Sequence, residues 1–272
     1  DRWASAAGVA LFAALRTAVN AIMQGSSVIL TPIGPELSRH AAARDGGRCS
    51  ALIAGAWLIA TAPIAIVVTA SLPIIEPVFA QWTRKALVFS PDLFVSLLAA
   101  VLVRQWASPL AMLLFCTNTI RAQFSISLVR CVTSIAAAAA LFPVTGLAAM
   151  GIGVCVGEVA AALSAIGMTR IAFPGLCDGR CCRAGLLAAI QVVGAAATLV
   201  AWWWLPSMAW QIWSVSLLVQ GLLIIAQWRN IHPTARHRVA SLISTFFRRF
   251  IPPDACVSPS THSTASIHRA DS

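Results

Sequence analysis

Long apolar runs dominate the chain and are separated by short stretches rich in Pro, Gly and charged residues. A helix needs about 20 apolar residues to cross the hydrocarbon core of a bilayer, which is about 30 Å thick. The runs that reach or approach this length lie at residues 4–33, 51–75, 92–116, 123–142, 146–169, 184–205 and 207–227. None of them alternates apolar and polar positions as the strand of a membrane barrel does. The pattern therefore predicts an all-α integral membrane protein with about seven transmembrane helices.

Composition agrees with this prediction and excludes other classes of protein. Apolar residues make up 59% of the 272 residues and charged residues only 10%, whereas a soluble globular chain has about 25% charged residues. So few charges cannot solvate so much apolar surface. A soluble domain, a disordered chain and a coiled coil are excluded, and nucleic acid is not an expected partner despite the net charge of +10.

The distribution of Arg and Lys predicts how the chain is oriented, because positive residues concentrate in cytoplasmic loops. Alternate loops are poor in these residues, and only Arg84 and Lys85 occur in them. The other loops with their edges, and the tail, contain Arg39, Arg44, Arg48, Arg121, Arg130, Arg170, Arg180, Arg183, Arg229, Arg236, Arg238, Arg248 and Arg249. We therefore expect the N-terminal end of the chain outside and its C-terminal tail in the cytoplasm.

Tryptophan positions give a second prediction about depth, because amphipathic rings prefer the two membrane interfaces. The residues expected near the outer interface are Trp3, Trp82, Trp202, Trp203, Trp204 and Trp210. Trp57 and Trp228 are expected near the inner interface.

The composition changes after the last apolar run, which divides the chain into a transmembrane lobe at 1–228 and a basic cytoplasmic tail at 229–272. Apolar residues in the tail recur at helical spacing, at Val239, Leu242, Ile243, Phe246, Phe247 and Phe250. This spacing predicts an amphipathic helix over 238–251 that lies on the inner membrane surface. Residues 252–272 are rich in Pro, Ser, Thr and His and are expected to be disordered.

Three ionisable residues lie well inside apolar runs, at Arg16, Arg104 and Glu158. A charge at this depth is costly and therefore usually marks a functional site or a charge pair. Arg16 lies about 18 Å from the outer end of its run at about 1.5 Å per residue, too deep to reach the interface easily. These residues are the first candidates for a site inside the membrane.

Polar neighbours extend the candidate site. Asn20 and Gln24 follow Arg16 at intervals of four residues and share its helix face. Gln105 follows Arg104 directly, and the same run continues to Pro109, where we expect a kink. Two guanidinium groups with hydrogen-bonding neighbours suit an anionic ligand, phosphate above all. The alternative is that Glu158 neutralises one arginine in a purely structural contact between helices.

Other features of the sequence indicate no catalysis. Gly153 and Gly157 have the small-xxx-small spacing of closely packed membrane helices, with a conformational hinge as the alternative. The eight cysteines lack the spacing of a metal site, and no hydrolase or phosphate-loop motif occurs. We therefore expect no metal, no cofactor and no enzymatic activity.

Three stretches carry a resemblance to a known family. In the first, Asp1 and Arg2 precede a crossing with Arg16 near its middle, and the crossing leads to Pro35, Ser38, Arg39 and Asp45. The other two are PIIEPVFAQW at 73–82 and LFPVTGLAAMGIGVCVGE at 141–158. Over residues 1 to about 230 the chain resembles the C-terminal lobe of polysaccharide-repeat flippases, the O-antigen and exopolysaccharide exporters of the multidrug/oligosaccharidyl-lipid/polysaccharide exporter superfamily.

The resemblance implies one lobe of a two-lobe transporter in the bacterial inner membrane. Such a transporter turns an undecaprenyl-diphosphate-linked oligosaccharide from the inner to the outer leaflet by alternating access. Arg16, Arg104 and Glu158 would then lie at the substrate site, and Asn20, Gln24 and Gln105 would bind the glycan. The implied partners are this lipid-linked substrate, membrane lipids, an N-terminal lobe and other proteins of polysaccharide assembly.

Three alternatives remain open. A drug or cation antiporter of the same superfamily would need acidic residues in the membrane interior, where only Glu158 lies. A membrane-embedded glycan polymerase or acyltransferase would need a large outer loop, and even the longest outer loop predicted for this chain is short. The chain begins at Asp1 rather than at Met, so we expect an upstream lobe, and an inactive truncated remnant is the third alternative.

Overall fold

The computed structural model describes residues 6–174 and 179–231, together with residues 233, 236, 237, 240 and 241. In the two long ranges the chain forms α-helices and one short 3-10 turn, and these ranges contain no strand. The helices are α1 (Ala6–Leu30), α2 (Ile33–Ala42), α3 (Gly46–Trp82), α4 (Pro91–Cys116), α5 (Ile120–Thr145), α6 (Ala148–Ala172), α7 (Gly179–Trp204) and α8 (Ala209–Asn230). The 3-10 turn at Pro206–Met208 leads into α8.

Seven of these helices are long and apolar enough to cross a membrane, and α2 is the exception. Each of the seven overlaps one of the apolar runs that the sequence predicts. The predicted fold class, an all-α multi-pass membrane protein, is confirmed.

The first predicted run ends earlier than expected, and a loop predicted after it is helical. The run at 4–33 ends at Leu30, and Ile33–Ala42 form α2. Pro35 does not prevent this helix because it lies in the first turn, where a missing N–H costs nothing. Leu37 is fully buried and holds α2 against its neighbours, while the Ser38 hydroxyl donates to the carbonyl of Cys116 at 3.2 Å. The basic loop is therefore an ordered helix packed against α4.

Helix α3 is longer than its predicted run at 51–75 and continues through three prolines. Pro73 has no N–H, so the carbonyl of Thr69, four residues earlier, loses its helical partner. The indole N–H of Trp213 in α8 donates to this carbonyl at 2.9 Å. Helix α3 continues past Pro73 because a neighbouring helix supplies the missing donor.

The turn between the fifth and sixth helices is shorter than the sequence suggests. Pro143 lies inside the last turns of α5, and only Gly146 and Leu147 separate α5 from α6. Gly146 has φ of 59°, a left-handed conformation that glycine adopts without strain. This short connection places α5 and α6 side by side as antiparallel neighbours.

Helix α4 is the common element of the packing. It contacts α6, α3, α7 and α1, while α6 also packs along α5 and α7 also packs against α8. Phe94 and Leu113, near its two ends, belong to separate hydrophobic clusters and are almost fully buried. A residue in the middle of α4 is therefore surrounded by several helices.

Trp57 is buried between helices. It is only 6% exposed and packs against Gly185 of α7, while its predicted depth near the inner interface stays a prediction. Its indole N–H donates to the carbonyl of Trp106 at 2.8 Å. A hydrogen-bond acceptor inside the bundle therefore replaces the interfacial water that such a ring usually finds.

A buried polar network joins α3, α7 and α8. The side-chain oxygen of Gln191 accepts from Gln227 at 2.8 Å and from Thr61 at 3.0 Å. Gln220 donates to the backbone carbonyl of Gln191 at 3.2 Å. Polar contacts of this kind hold membrane helices together, because hydrocarbon offers no alternative partner.

The predicted tail lies mainly outside the described residues. Of the predicted amphipathic helix at 238–251, only Ala240 and Ser241 are described, and both are helical. Residues 252–272 are outside the described part of the chain. The division between a lobe at 1–228 and a tail at 229–272 stays a prediction.

The substitution Trp213→Phe tests the contact that supports α3. It keeps an aromatic ring but removes the donor, so the buried Thr69 carbonyl is left unpaired at a cost of about 1–3 kcal/mol. We expect a lower midpoint of thermal unfolding in detergent. Trp210→Phe is the matched control, because Trp210 is a mostly exposed ring on the same helix. Equal midpoints for the two variants would contradict the role given to Trp213.

Candidate functional site

Four charged residues lie near the midpoints of four different transmembrane helices. They are Arg16 in α1, Arg104 in α4, Arg130 in α5 and Glu158 in α6. The packing of α6 against both α4 and α5 brings three of these helices together at this depth. The four residues therefore define a charged layer inside the bundle.

Glu158 is the buried acidic group of this layer, with its side chain only 6% exposed. Its Oε2 atom lies 3.1 Å from Nε of Arg130, and its Oε1 atom lies 3.5 Å from Nη1 of Arg104. The Arg130 contact is close but is not aligned as a hydrogen bond. One carboxylate is thus shared between guanidinium groups from two helices.

Glu158 therefore does form an ion pair between helices, as the structural alternative predicts. This ion pair does not remove Arg104 from the candidate site, because 46% of the Arg104 side chain remains exposed. Arg130 is less accessible, at 32%. Arg104 can pair with Glu158 and still present donors to a ligand, because a guanidinium carries five N–H groups.

A cavity of about 320 Å³ brings the charged layer together. Arg16, Asn20, Arg104, Arg130 and Glu158 all line it. Three guanidinium groups and one carboxylate give this lining a formal charge of +2. The sequence singled out four of these five residues, and the structure places them around one space.

Arg16 differs from the other two arginines of the cavity. Within the described ranges it forms no ion pair, and its side chain is exposed. Its guanidinium carbon lies 5.8 Å from the centre of the Phe12 ring, one helical turn earlier. A cation–π contact of this kind does not neutralise the charge. Arg16 is therefore the cation of this cavity that has no acidic partner among the described residues.

A second, larger cavity of about 1000 Å³ adjoins the first. Arg104 and Met23 line both cavities. The remaining predicted residues, Gln24 and Gln105, line the larger one, together with Ser108. The six predicted site residues thus divide between two neighbouring cavities that meet at Arg104.

Pro109 shapes the wall of the larger cavity. It has no N–H, so the carbonyl of Gln105 loses the donor that a regular helix would provide. The Ser108 hydroxyl donates to this carbonyl at 2.8 Å. The Gln105 side chain is 4% exposed, and its Oε1 atom has no hydrogen-bond partner among the described residues. The backbone is satisfied locally, while the side-chain amide oxygen of Gln105 is buried without a donor among the described residues.

The position predicted for Arg130, at the edge of a cytoplasmic loop, is wrong. Helix α5 begins at Ile120, so Arg130 lies about 15 Å into the helix. Ser127 and Ser134 line the same cavity at three residues before and four residues after Arg130. This helical spacing of polar residues within an apolar run is the signal that could have identified it.

Two glycines allow the helices of the ion pair to approach each other. A Cβ atom at Gly153 would lie 2.7 Å from the carbonyl oxygen of Ser134, and one at Gly157 would lie 2.8 Å from that of Arg130. These distances are too short for a real side chain. Close packing, the predicted role of the pair, is confirmed, and it holds Glu158 against α5.

The fold and these side chains define a multi-pass membrane protein with a positively charged cavity at the middle of its helices. No family model, no curated protein and no solved structure matches the chain. What the chain can bind therefore follows from the residues that line the two cavities.

Adding one methyl group tests whether close packing positions Glu158. We expect Gly157→Ala to lower the midpoint of thermal unfolding in detergent, because α5 must move away from α6. Gly167→Ala, in the same helix, is the matched control, since nothing lies within 4 Å of a Cβ atom there. This control should be neutral or slightly stabilising, as alanine favours a helix over glycine. A loss at Gly167 as large as that at Gly157 would contradict the packing argument.

Proposed function

We propose that this chain is a lobe of a bacterial inner-membrane flippase that turns an undecaprenyl-diphosphate-linked oligosaccharide from the inner to the outer leaflet. In this proposal the diphosphate occupies the charged cavity, and the glycan extends into the larger one. A second lobe completes the chamber, and the two lobes alternate access between the leaflets. The N-terminal end of the chain is outside and the tail is in the cytoplasm.

The observation that carries the proposal is the excess of positive charge in the smaller cavity. Arg16 has no acidic partner among the described residues, and Arg104 remains half-exposed beside Glu158. A cation at this depth is stable when it faces water or an anionic ligand rather than lipid. Diphosphate suits the site because one guanidinium group can donate two parallel hydrogen bonds to two phosphate oxygens.

The larger cavity supports an oligosaccharide as the rest of the substrate. Its volume of about 1000 Å³ lies at the upper end of the range for ligand pockets. Arg104 is the charged residue among those that line it, and the polar lining includes Gln24, Gln105 and Ser108. Amide and hydroxyl groups form hydrogen bonds with sugar hydroxyls without requiring a charge.

A cation antiporter is less well supported. Such a protein needs an acidic side chain that can exchange its partner for a drug or an ion. Glu158 is 6% exposed and already contacts Arg104 and Arg130. The surplus of arginine around it would repel a second cation.

Binding of undecaprenyl diphosphate to the chain in detergent tests the site directly. We expect Arg16→Gln to weaken binding about tenfold, because it removes one charge-assisted interaction. The ion pairs of Glu158 are untouched in this variant, so stability should change little. Fluorescence quenching or thermophoresis can measure the affinity.

The control for this experiment is Arg39→Gln, which removes an equal charge from α2, outside the lining of both cavities. Undecaprenol without phosphate is the control ligand. The site assignment would be wrong if Arg16→Gln, like its control Arg39→Gln, bound undecaprenyl diphosphate as tightly as the wild type does.

Transport is tested in the bacterium that encodes the chain, with Arg104→Ala introduced into the chromosomal gene. We expect surface glycan to be lost while the protein remains in the membrane, since Arg104 lines both cavities. Immunoblots of membranes and of extracted glycan provide the two measurements. Normal glycan in this variant and in Arg16→Ala would contradict the proposed function.

A further inference from the structure

A third cavity, of about 210 Å³, lies away from the charged layer, between α6 and α7. These two helices make little direct contact with each other. Trp57 of α3 and Trp106 of α4 line the cavity from behind. The gap thus separates two transmembrane helices and is backed by two aromatic side chains.

The cavity extends from one end of the helix bundle towards its middle. Arg170 lies in the last turn of α6 and marks its shallow end. Ala189 of α7 also lines the cavity and lies about 15 Å into its helix. A charged group thus lies at the shallow end, and apolar side chains line the deeper part.

The two tryptophans present their rings but no free donors. The indole N–H of Trp57 donates to the carbonyl of Trp106 at 2.8 Å, and that of Trp106 donates to the carbonyl of Gly185 at 3.0 Å. Leu110, Ile166 and Leu186 complete an apolar lining. Such a surface favours hydrocarbon over water, and Leu186 of this lining is 61% exposed.

One buried polar group among the lining residues has no partner. Thr169 is 2% exposed, and its hydroxyl forms no hydrogen bond with any described residue. A buried hydroxyl normally bonds to something, because leaving it unpaired costs free energy. It lies next to Arg170 in the sequence, in the last turn of α6.

We propose that the cavity between α6 and α7 binds one anionic phospholipid of the surrounding bilayer. Its phosphate pairs with Arg170, its glycerol ester region accepts a hydrogen bond from Thr169, and an acyl chain lies against Trp57 and Trp106. Basic pockets between transmembrane helices bind anionic headgroups in this way. The lipid fills the space where α6 and α7 do not pack, and so holds these helices in place.

Native mass spectrometry of the full chain in detergent tests the proposal, with dioleoylphosphatidylglycerol and dioleoylphosphatidylcholine as probes. We expect one tightly bound phosphatidylglycerol, preferred over phosphatidylcholine by about fivefold to tenfold. Arg170→Gln should abolish the preference. Inorganic phosphate should neither compete nor raise the midpoint of thermal unfolding, because it lacks the acyl chain.

The matched control is Arg183→Gln, which removes an equal charge near the same membrane interface from a residue that does not line the cavity. Ala189→Phe fills the deep end and should exclude the tightly bound lipid of either headgroup. An equal loss of preference in the Arg170 and Arg183 variants would indicate diffuse attraction and overturn the proposal. Unchanged lipid binding in Ala189→Phe would also overturn it. Both arginines are exposed, so their comparison decides the question even if Ala189→Phe does not fold.

Discussion

The central constraint on this molecule is electrostatic: a carboxylate and three guanidinium groups lie at the depth where a bilayer is driest. Glu158 can remain there because it contacts arginines on two neighbouring helices. Those contacts require α5 and α6 to approach closely, which Gly153 and Gly157 permit. The packing of α6 against α4 and α5 and the shape of the charged cavity follow from the same arrangement.

Much of the fold could be predicted from the sequence, because bilayer thickness sets the length of an apolar helix. Each predicted run corresponds to a described helix. The same reasoning located Arg16, Arg104 and Glu158, since a charge inside an apolar run is visible without any structure. The amide residues Gln24 and Gln105 were found through their spacing from these arginines, and both line the larger cavity.

What the sequence could not predict depends on contacts between helices. Helix α3 continues past Pro73 because Trp213, far away in the chain, supplies a donor. Trp57 is buried with its indole N–H bonded to the carbonyl of Trp106, a contact between helices that no local pattern predicts. Arg130 was assigned to a loop edge although it lies inside the run at 123–142, but its pairing with Glu158 of another helix could not be read from the sequence. In each of these contacts the deciding atom is distant in the chain.

The backbone hydrogen bond that Pro109 removes from α4 has a mechanical consequence. The carbonyl of Gln105 accepts a hydrogen bond from the Ser108 hydroxyl instead of a backbone N–H, because Pro109 has no N–H to donate. A hydrogen bond from a side chain can lengthen or rotate without moving the backbone of the next turn. Helices bend at such points. Arg104 is adjacent to this point, so a bend of α4 here would change the distance between its guanidinium and Glu158. Bending of this helix would therefore weaken or strengthen the ion pair.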